Sequence, residues 1–207
     1  MIKTVLFDFG GVFVKINRDE SVRRFEALGV HDADHLLDPY QQQGLFLQLE
    51  EGQYNKEEFT EALNKEYQLH LTVEEVRYAL MGFLAETQQY KFDYIQNEWR
   101  EDIRLLGVSN INPFIWEYAR SGQLIDGGYS IDDLFEKVYA SYEYKMCKPD
   151  PKFFERIIEE SKINPEETLF VDDGPANTAA ARRLGFVTYC PDNGEDWRPV
   201  LDKMLKK

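Results

Sequence analysis

Apolar residues follow two different periods along the chain, and the change between them divides it. Ile2 to Phe7 and Thr168 to Val171 are short, nearly unbroken apolar runs of the kind that fill buried parallel strands. Residues 103–109, 136–141 and 186–190 read as three more strands, and the second apolar run extends to a strand over residues 167–172. From about Asn17 to Thr87 the spacing changes to three and four. Val22, Phe25 and Leu28 share a helical face, as do Leu45, Phe46 and Leu49, then Phe59, Leu63 and Tyr67. Gly52 breaks this stretch, and Thr72 with Glu75 forms a capping box ahead of Val76, Leu80 and Phe83. No strand is expected there. From Tyr90 onward helix and strand alternate, with helices over residues 90–100, 151–162 and 176–184. Pro151 stands in the first turn of the second of these, and Gly185 ends the third.

Alternation of this kind implies an α/β fold, a parallel sheet with helices on both faces. About seventy helical residues between two strands far exceed an ordinary crossover, so residues 17–88 read as an inserted all-α domain. The remainder, residues 1–16 and 89–207, forms the body. Hinges are expected near Lys15 to Asn17 and Thr87 to Lys91.

Composition narrows the partners. The chain has 207 residues, 38 acidic against 24 basic, for a formal net charge of −14. Such an excess repels nucleic acid and anionic membranes but tolerates a small phosphate ester where a cation offsets the field. No signature of a protein partner is readable. Two isolated cysteines, Cys147 and Cys190, fit a reduced compartment. No signal peptide precedes the first strand and no apolar run is long enough to span a membrane, so a cytoplasmic location is expected.

Four short segments carry the chemistry: Asp8, Ser109-Asn110, Lys148-Pro149 and Asp172-Asp173. Three of them close apolar runs, and residues just past parallel strand ends line the ligand crevice of such sheets. Taken singly, each has a plain explanation: Asp8 as a turn residue, Lys148 as a surface lysine, Ser109-Asn110 as a helix cap before Pro113. Together they assemble a hydroxyl, an ammonium and three carboxylates. Asp172 and Asp173 repel each other unless a cation shares them, and with Asp8 they make a hard-oxygen site suited to Mg²⁺. The backbones of Phe9, Gly10 and Gly11 make a tight exit from the first strand, suited to close approach of a ligand.

These segments resemble the motifs of the haloacid dehalogenase superfamily. Phe7-Asp8-Phe9-Gly10-Gly11-Val12 is similar to its first motif, Val108-Ser109-Asn110 to the second, Lys148-Pro149-Asp150-Pro151 to the third and Phe170-Val171-Asp172-Asp173 to the fourth. The resemblance implies a Rossmann-like core with a four-helix cap, in which Leu49-Glu50-Glu51-Gly52 resembles a common cap segment. It implies that Asp8 is a nucleophile forming an aspartyl-phosphate, and that Ser109, Asn110 and Lys148 hold the phosphoryl oxygens. Mg²⁺ would be held by Asp8, the Gly10 carbonyl and Asp173, with Asp172 completing the metal site through water or from behind these ligands and Asn177 supporting the loop. The expected reaction is hydrolysis of a small phosphorylated metabolite.

Gly10 departs from the family pattern, in which an aspartate two residues after the nucleophile handles the leaving-group proton. Losing such a group typically costs about 10²–10⁴ in rate. A related branch with Asp-x-Gly-x-Val, including α-D-glucose-1-phosphate phosphatase-like proteins, points to a sugar phosphate, first a 1-phosphate. Asp19, Glu20, His31 and His35 lie early in the insert as substitutes, though weak ones. Two alternatives stand: a 2-haloacid dehalogenase, disfavoured by the retained Asp172-Asp173 pair, and a catalytically idle binding protein, supported only by Gly10. Tyr40, Phe46, Tyr54 and Phe83 are aromatic residues that either face the site or fill the insert's own core.

Overall fold

The structure is a computed structural model that describes residues 1–205. Five parallel strands, β1 (Thr4–Phe7), β4 (Arg104–Ser109), β5 (Lys137–Ala140), β6 (Thr168–Val171) and β7 (Val187–Tyr189), form one sheet in the order β5-β4-β1-β6-β7. Two more, β2 (Val14–Ile16) and β3 (Leu84–Thr87), pair antiparallel in a separate ribbon. The helices in chain order are α1 (Arg18–Ala27), α2 (Ala33–Leu36), α3 (Gly44–Glu50), α4 (Lys56–Tyr67), α5 (Val73–Leu80) and α6 (Gln89–Glu98). There follow α7 (Pro113–Arg120), α8 (Ile131–Leu134), α9 (Ser141–Tyr144), α10 (Pro151–Ser161), α11 (Pro175–Arg183) and α12 (Arg198–Leu205).

All five expected sheet strands form. Because side chains alternate along a strand, the sheet feeds two cores. Val5, Phe7, Leu105, Leu169 and Val171 pack on one face with Phe13, Phe92 and Trp197. Leu6, Leu106, Val108 and Phe170 pack on the other with Phe153, Phe154 and Ile157. Both faces of β1 and β6 are thereby sealed, which is why these strands read as continuous apolar runs.

The insert helices build a further hydrophobic cluster, which Phe114 of α7 joins from the body. Val22, Phe25, Phe46, Leu49, Phe59, Leu63, Val76, Leu80 and Phe83 are buried in one cluster, and Leu28, Leu45 and Tyr67 pack partly buried against it. The capping box is present, with Glu75 N–H donating to Thr72 Oγ1 and Thr72 N–H donating to the Glu75 carboxylate. Gly52 has φ +64°, one residue past the C-cap of α3. Four of the insert helices exceed one turn, and α2 is a single turn.

One expectation fails. A strand, β3, does lie inside the stretch read as wholly helical, and it pairs with β2 so that both crossings between body and insert run through one two-stranded ribbon. The pairing joins segments some seventy residues apart in sequence, and a four-residue strand whose two central residues are exposed and whose two end residues are half-buried leaves no alternation to detect.

Candidate active site

The register of the sheet places the expected residues at one edge. Phe7 lies beside Gly107 on one side and Val171 on the other, so Asp8, Ser109 and Asp172 all emerge at the C-terminal ends of the three central strands. Lys148 enters from the loop between α9 and α10. Its ammonium, 1% exposed, donates to Asp172 Oδ2 at 2.6 Å and to Asp8 Oδ2 at 3.0 Å. The Asn110 side chain fixes that loop as a two-way clasp. Its Nδ2 donates to the Lys148 carbonyl and its Oδ1 accepts from the Lys148 N–H, both at 2.8 Å.

The fourth motif splits its two carboxylates between different tasks. Asp172 is fully buried, and besides Lys148 it accepts from Gly174 N–H at 2.7 Å and Asn177 Nδ2 at 3.0 Å. Asp173 is half-buried and faces the cavity. It packs onto Gly11, where a Cβ would stand 1.9 Å from Asp173 Oδ2, and Gly11 also holds φ +69°. Only glycine fits there.

One oxygen from each of Asp8, Asp172 and Asp173 lies within 4.8 Å of the others, opposite the single ammonium of Lys148. Burial raises the Asp8 carboxyl to about 7, against the pull of Lys148 and with the push of Asp172. Burial and the Asp8 and Asp172 charges raise Asp173 to about 8. Burial works against the charge on Lys148, yet Asp172 and Asp8 override it and hold that amine above its usual range. The edge thus carries more negative charge than its one cation compensates, and its donors are all hard oxygens. That donor set fits Mg²⁺.

A cleft of about 1090 Å³, open mouth included, lies over this edge. Asp8, Gly10, Ser109, Lys148 and Asp173 form its floor, and Leu37, Tyr40, Gln42, Phe46, Glu50 and Phe83 reach it from the insert. A profile of haloacid dehalogenase-like hydrolases matches residues 2–185. The chain belongs to the haloacid dehalogenase-like hydrolases.

Relatives within that family agree in length and shape. The chain is 42% identical over 205 residues to a D-ribitol-5-phosphate phosphatase of Bacteroides thetaiotaomicron, covering 99% of each. Among solved structures it is similar to a predicted HAD-like hydrolase of Porphyromonas gingivalis (47% identity, TM-score 0.95, covering 100% of this chain and 99% of that one). A HAD family enzyme of B. thetaiotaomicron, solved with magnesium and inorganic phosphate, matches at 31% identity and TM-score 0.90, covering 97% of this chain and 99% of that one.

The expected contributors to this HAD-like site differ in where the structure places them. The backbone of Gly11 does not meet the ligand space: its N–H donates to the Val14 carbonyl at 2.8 Å and its carbonyl accepts from Gly194 N–H at 2.7 Å. Its glycine character answers to Asp173 instead. Phe9 lines the cleft and lends its N–H to Asp8 Oδ1 at 2.7 Å, while its ring packs on Phe135. The cap before Pro113 is Asn112, whose Oδ1 accepts from Phe114 and Ile115 N–H groups, which frees Ser109 and Asn110 from that explanation. Of the four insert aromatics, Tyr40, Phe46 and Phe83 line the cleft, although Phe46 and Phe83 also belong to the insert core, and Tyr54 packs against that core away from the lining.

Glu50 figures in the sequence reading only within the Leu49-Glu50-Glu51-Gly52 cap segment, with no role assigned. It is 7% exposed and lines the cleft, and burial raises its carboxyl to about 8. The available signal was its spacing, four residues after Phe46 and therefore on the apolar face of α3.

Proposed function

We infer that this chain is a magnesium-dependent phosphatase acting on a small phosphorylated metabolite through a covalent intermediate on Asp8. The observation that carries the reading is the juxtaposition of Asp8 with one buried ammonium and a second, cavity-facing carboxylate at the ends of the three central strands. In this reading Lys148, held by Asp172 and by the Asn110 clasp, draws a phosphoryl oxygen towards Asp8. Ser109, buried at the end of β4, offers its hydroxyl to a second oxygen. The Asn110 N–H is the remaining candidate donor from this turn.

Asp8, Asp173 and the Gly10 carbonyl are the groups we assign to the metal. Asp172, with its oxygens committed to Lys148, Gly174 and Asn177, acts from behind them. Bound Mg²⁺ supplies the positive charge that lets a carboxylate approach an anionic phosphoryl group. Asp8 is aimed by Phe9 N–H and Lys148, which leaves its carboxylate fixed for in-line attack.

The substrate we favour is a sugar or sugar-alcohol phosphate of the kind named for the Bacteroides relative, D-ribitol 5-phosphate. That compound is an ester of a primary alcohol, which shifts the preferred class from anomeric 1-phosphates to alkyl phosphates. Residues 17–88 act as a cap domain over a body of residues 1–16 and 89–207; the hydrophobic cluster drawn almost wholly from the insert helices and the two-stranded crossing support that division. Among the described residues no helix is long and apolar enough to cross a membrane. The two unpaired cysteines support a reduced, cytoplasmic setting.

The dehalogenase alternative has weaker support, since the L-2-haloacid dehalogenase of Xanthobacter autotrophicus matches at 15% identity and TM-score 0.56, a likeness of fold alone. The test is phosphate release from a panel of sugar, sugar-alcohol and aryl phosphates, with Mg²⁺ and with chelator. Metal-dependent release, highest for pentitol phosphates, is expected; no release from any ester rejects the reading.

A further inference from the structure

An in-line attack by Asp8 expels the leaving oxygen on the opposite side of the phosphorus, towards the insert. A primary alkoxide leaves poorly without a proton, and Gly10 has no side chain to give one. The carboxyls facing the cleft are Asp8, Asp173 and Glu50. The first is the nucleophile and the second belongs to the metal site. The early insert residues do not reach: Asp19 pairs with Arg18, Glu20 with Arg23 and Arg24, and His31 and His35 are exposed. None of the four lines the cleft.

Glu50 is held rigidly against the body although it belongs to the insert. It is the last residue of α3, and its carbonyl accepts from Ser141 Oγ at 2.7 Å. The same Ser141 oxygen accepts from Ile111 N–H at 2.9 Å, two residues beyond Ser109. Just after it, Gly52 presses its Cα against the Tyr142 carbonyl so closely that a Cβ would lie 2.0 Å from that oxygen. These contacts tie the end of α3 to the same strand-end loops that carry the site. Among the described residues no hydrogen bond engages the Glu50 carboxyl, so its proton is uncommitted.

The charges facing this carboxyl are Lys148, Asp8 and its neighbour Glu51, with the Cys147 thiol also within its influence. Burial is the largest influence and, with Asp8 and Glu51, outweighs Lys148, which keeps Glu50 neutral near pH 7.

We propose that Glu50 is the acid–base residue that replaces the missing side chain at position 10, a role that rests on the phosphatase reading. As Asp8 Oδ bonds to phosphorus and the phosphorus–oxygen ester bond breaks, Glu50 passes its proton to the departing oxygen and the alcohol leaves neutral. Water then attacks the aspartyl-phosphate; Glu50, now ionised, takes a proton from that water as the bond between phosphorus and Asp8 breaks. Phosphate is released and Glu50 regains its proton.

The test compares Glu50→Gln with wild type on D-ribitol 5-phosphate and on p-nitrophenyl phosphate, whose leaving group needs no proton. Turnover of the alkyl ester should fall by about 10²–10⁴ with no burst. The aryl ester should give a rapid burst near one nitrophenolate per site, followed by slow turnover, because only the second step then lacks its base. Alkyl turnover within threefold of wild type, or equal loss on both esters without a burst, overturns the proposal. Wild type inactive on every phosphate ester would instead reject the phosphatase reading. Gly10→Asp provides an independent check: that glycine is not in the left-handed region, and a Cβ would meet only Ile16, at 3.4 Å and beyond. Added to Glu50→Gln, it should restore alkyl turnover at least tenfold if the lost group is a proton donor, and failure to do so counts against the proposal. Should Glu50→Gln not fold, Glu50→Asp, which withdraws the donor by one methylene, should show the same split between esters, and equal loss on both overturns the role.

Discussion

The strand edge of the body and the face of the insert above it meet in one cleft but are built on opposite principles. At the edge, the functional side chains sit at the ends of buried strands or, for Lys148, on the loop ahead of α10, and neighbours hold them: Lys148 by two carboxylates and an amide clasp, Asp172 by three donors. In the insert, the lining residues Phe46, Leu49, Leu80 and Phe83 serve the cleft and the insert's hydrophobic core together. The edge therefore fixes what reaction is done, whereas the insert's wall is free to vary with the shape of the leaving group so long as its core still packs.

The most severe break in that comparison is Asp8→Asn. It should abolish phosphate release, by roughly 10⁴–10⁶-fold as for other nucleophiles that act within a unit, with circular dichroism unchanged. Residual turnover within tenfold of wild type would remove Asp8 from the reaction.

Lys148→Ala and Phe25→Ala sharpen the contrast. The first strands two buried carboxylates without their cation, for about 3–5 kcal/mol of destabilisation together with lost turnover. The second empties a fully buried site in the insert core, edge-on to Phe46 at 4.9 Å, also for about 3–5 kcal/mol. Yet Phe25 lines no part of the cleft, so turnover under folding conditions should stay within a few-fold. Urea melts paired with saturating kinetics check both; equal activity losses would erase the distinction between the regions.

Metal probes the edge, and pH probes it together with Glu50, whose raised carboxyl acts in the same direction. Asp8 and Asp173 are raised to about 7 and about 8 in the folded protein, whereas an unfolded aspartate titrates near 4. Between those values the folded protein holds protons that the unfolded chain has released, so metal-free stability should fall as pH rises from about 4 to about 8. Mg²⁺ needs ionised carboxylates, so its gain in melting temperature should be larger at about pH 8 than at about pH 5.5. Melts with Mg²⁺ and with chelator decide this, and a gain independent of pH contradicts it.

The smallest effect belongs to the insert's surface. Thr72→Ala removes one half of the capping box of α5 and should cost about 1 kcal/mol in denaturant melts without altering kinetics. A change in turnover would mean that α5 communicates with the cleft more strongly than its capping suggests.

Much of the edge was legible in the sequence because buried parallel strands leave apolar runs, and Asp8, Ser109 and Asp172-Asp173 stand directly at their ends. Lys148 was legible only in company, since nothing local distinguishes a buried lysine from a surface one. What stayed hidden depends on contacts remote in sequence. The β2–β3 ribbon joins segments some seventy residues apart, and the fit of Gly11 against Asp173 spans more than 160 positions. The role of Glu50 was concealed because an acid at the end of a helix ordinarily faces water; its place in the Leu49-Glu50-Glu51-Gly52 segment and four residues after Phe46 were the hints otherwise.

The central claim is that Asp8 carries the phosphoryl group. Acid quenching of the enzyme during turnover of D-ribitol 5-phosphate with Mg²⁺, followed by peptide mass mapping, tests it directly. A phosphoryl mass increment is expected on the peptide containing Asp8, absent in Asp8→Asn and absent with chelator. Steady phosphate release with no label on that peptide would contradict it.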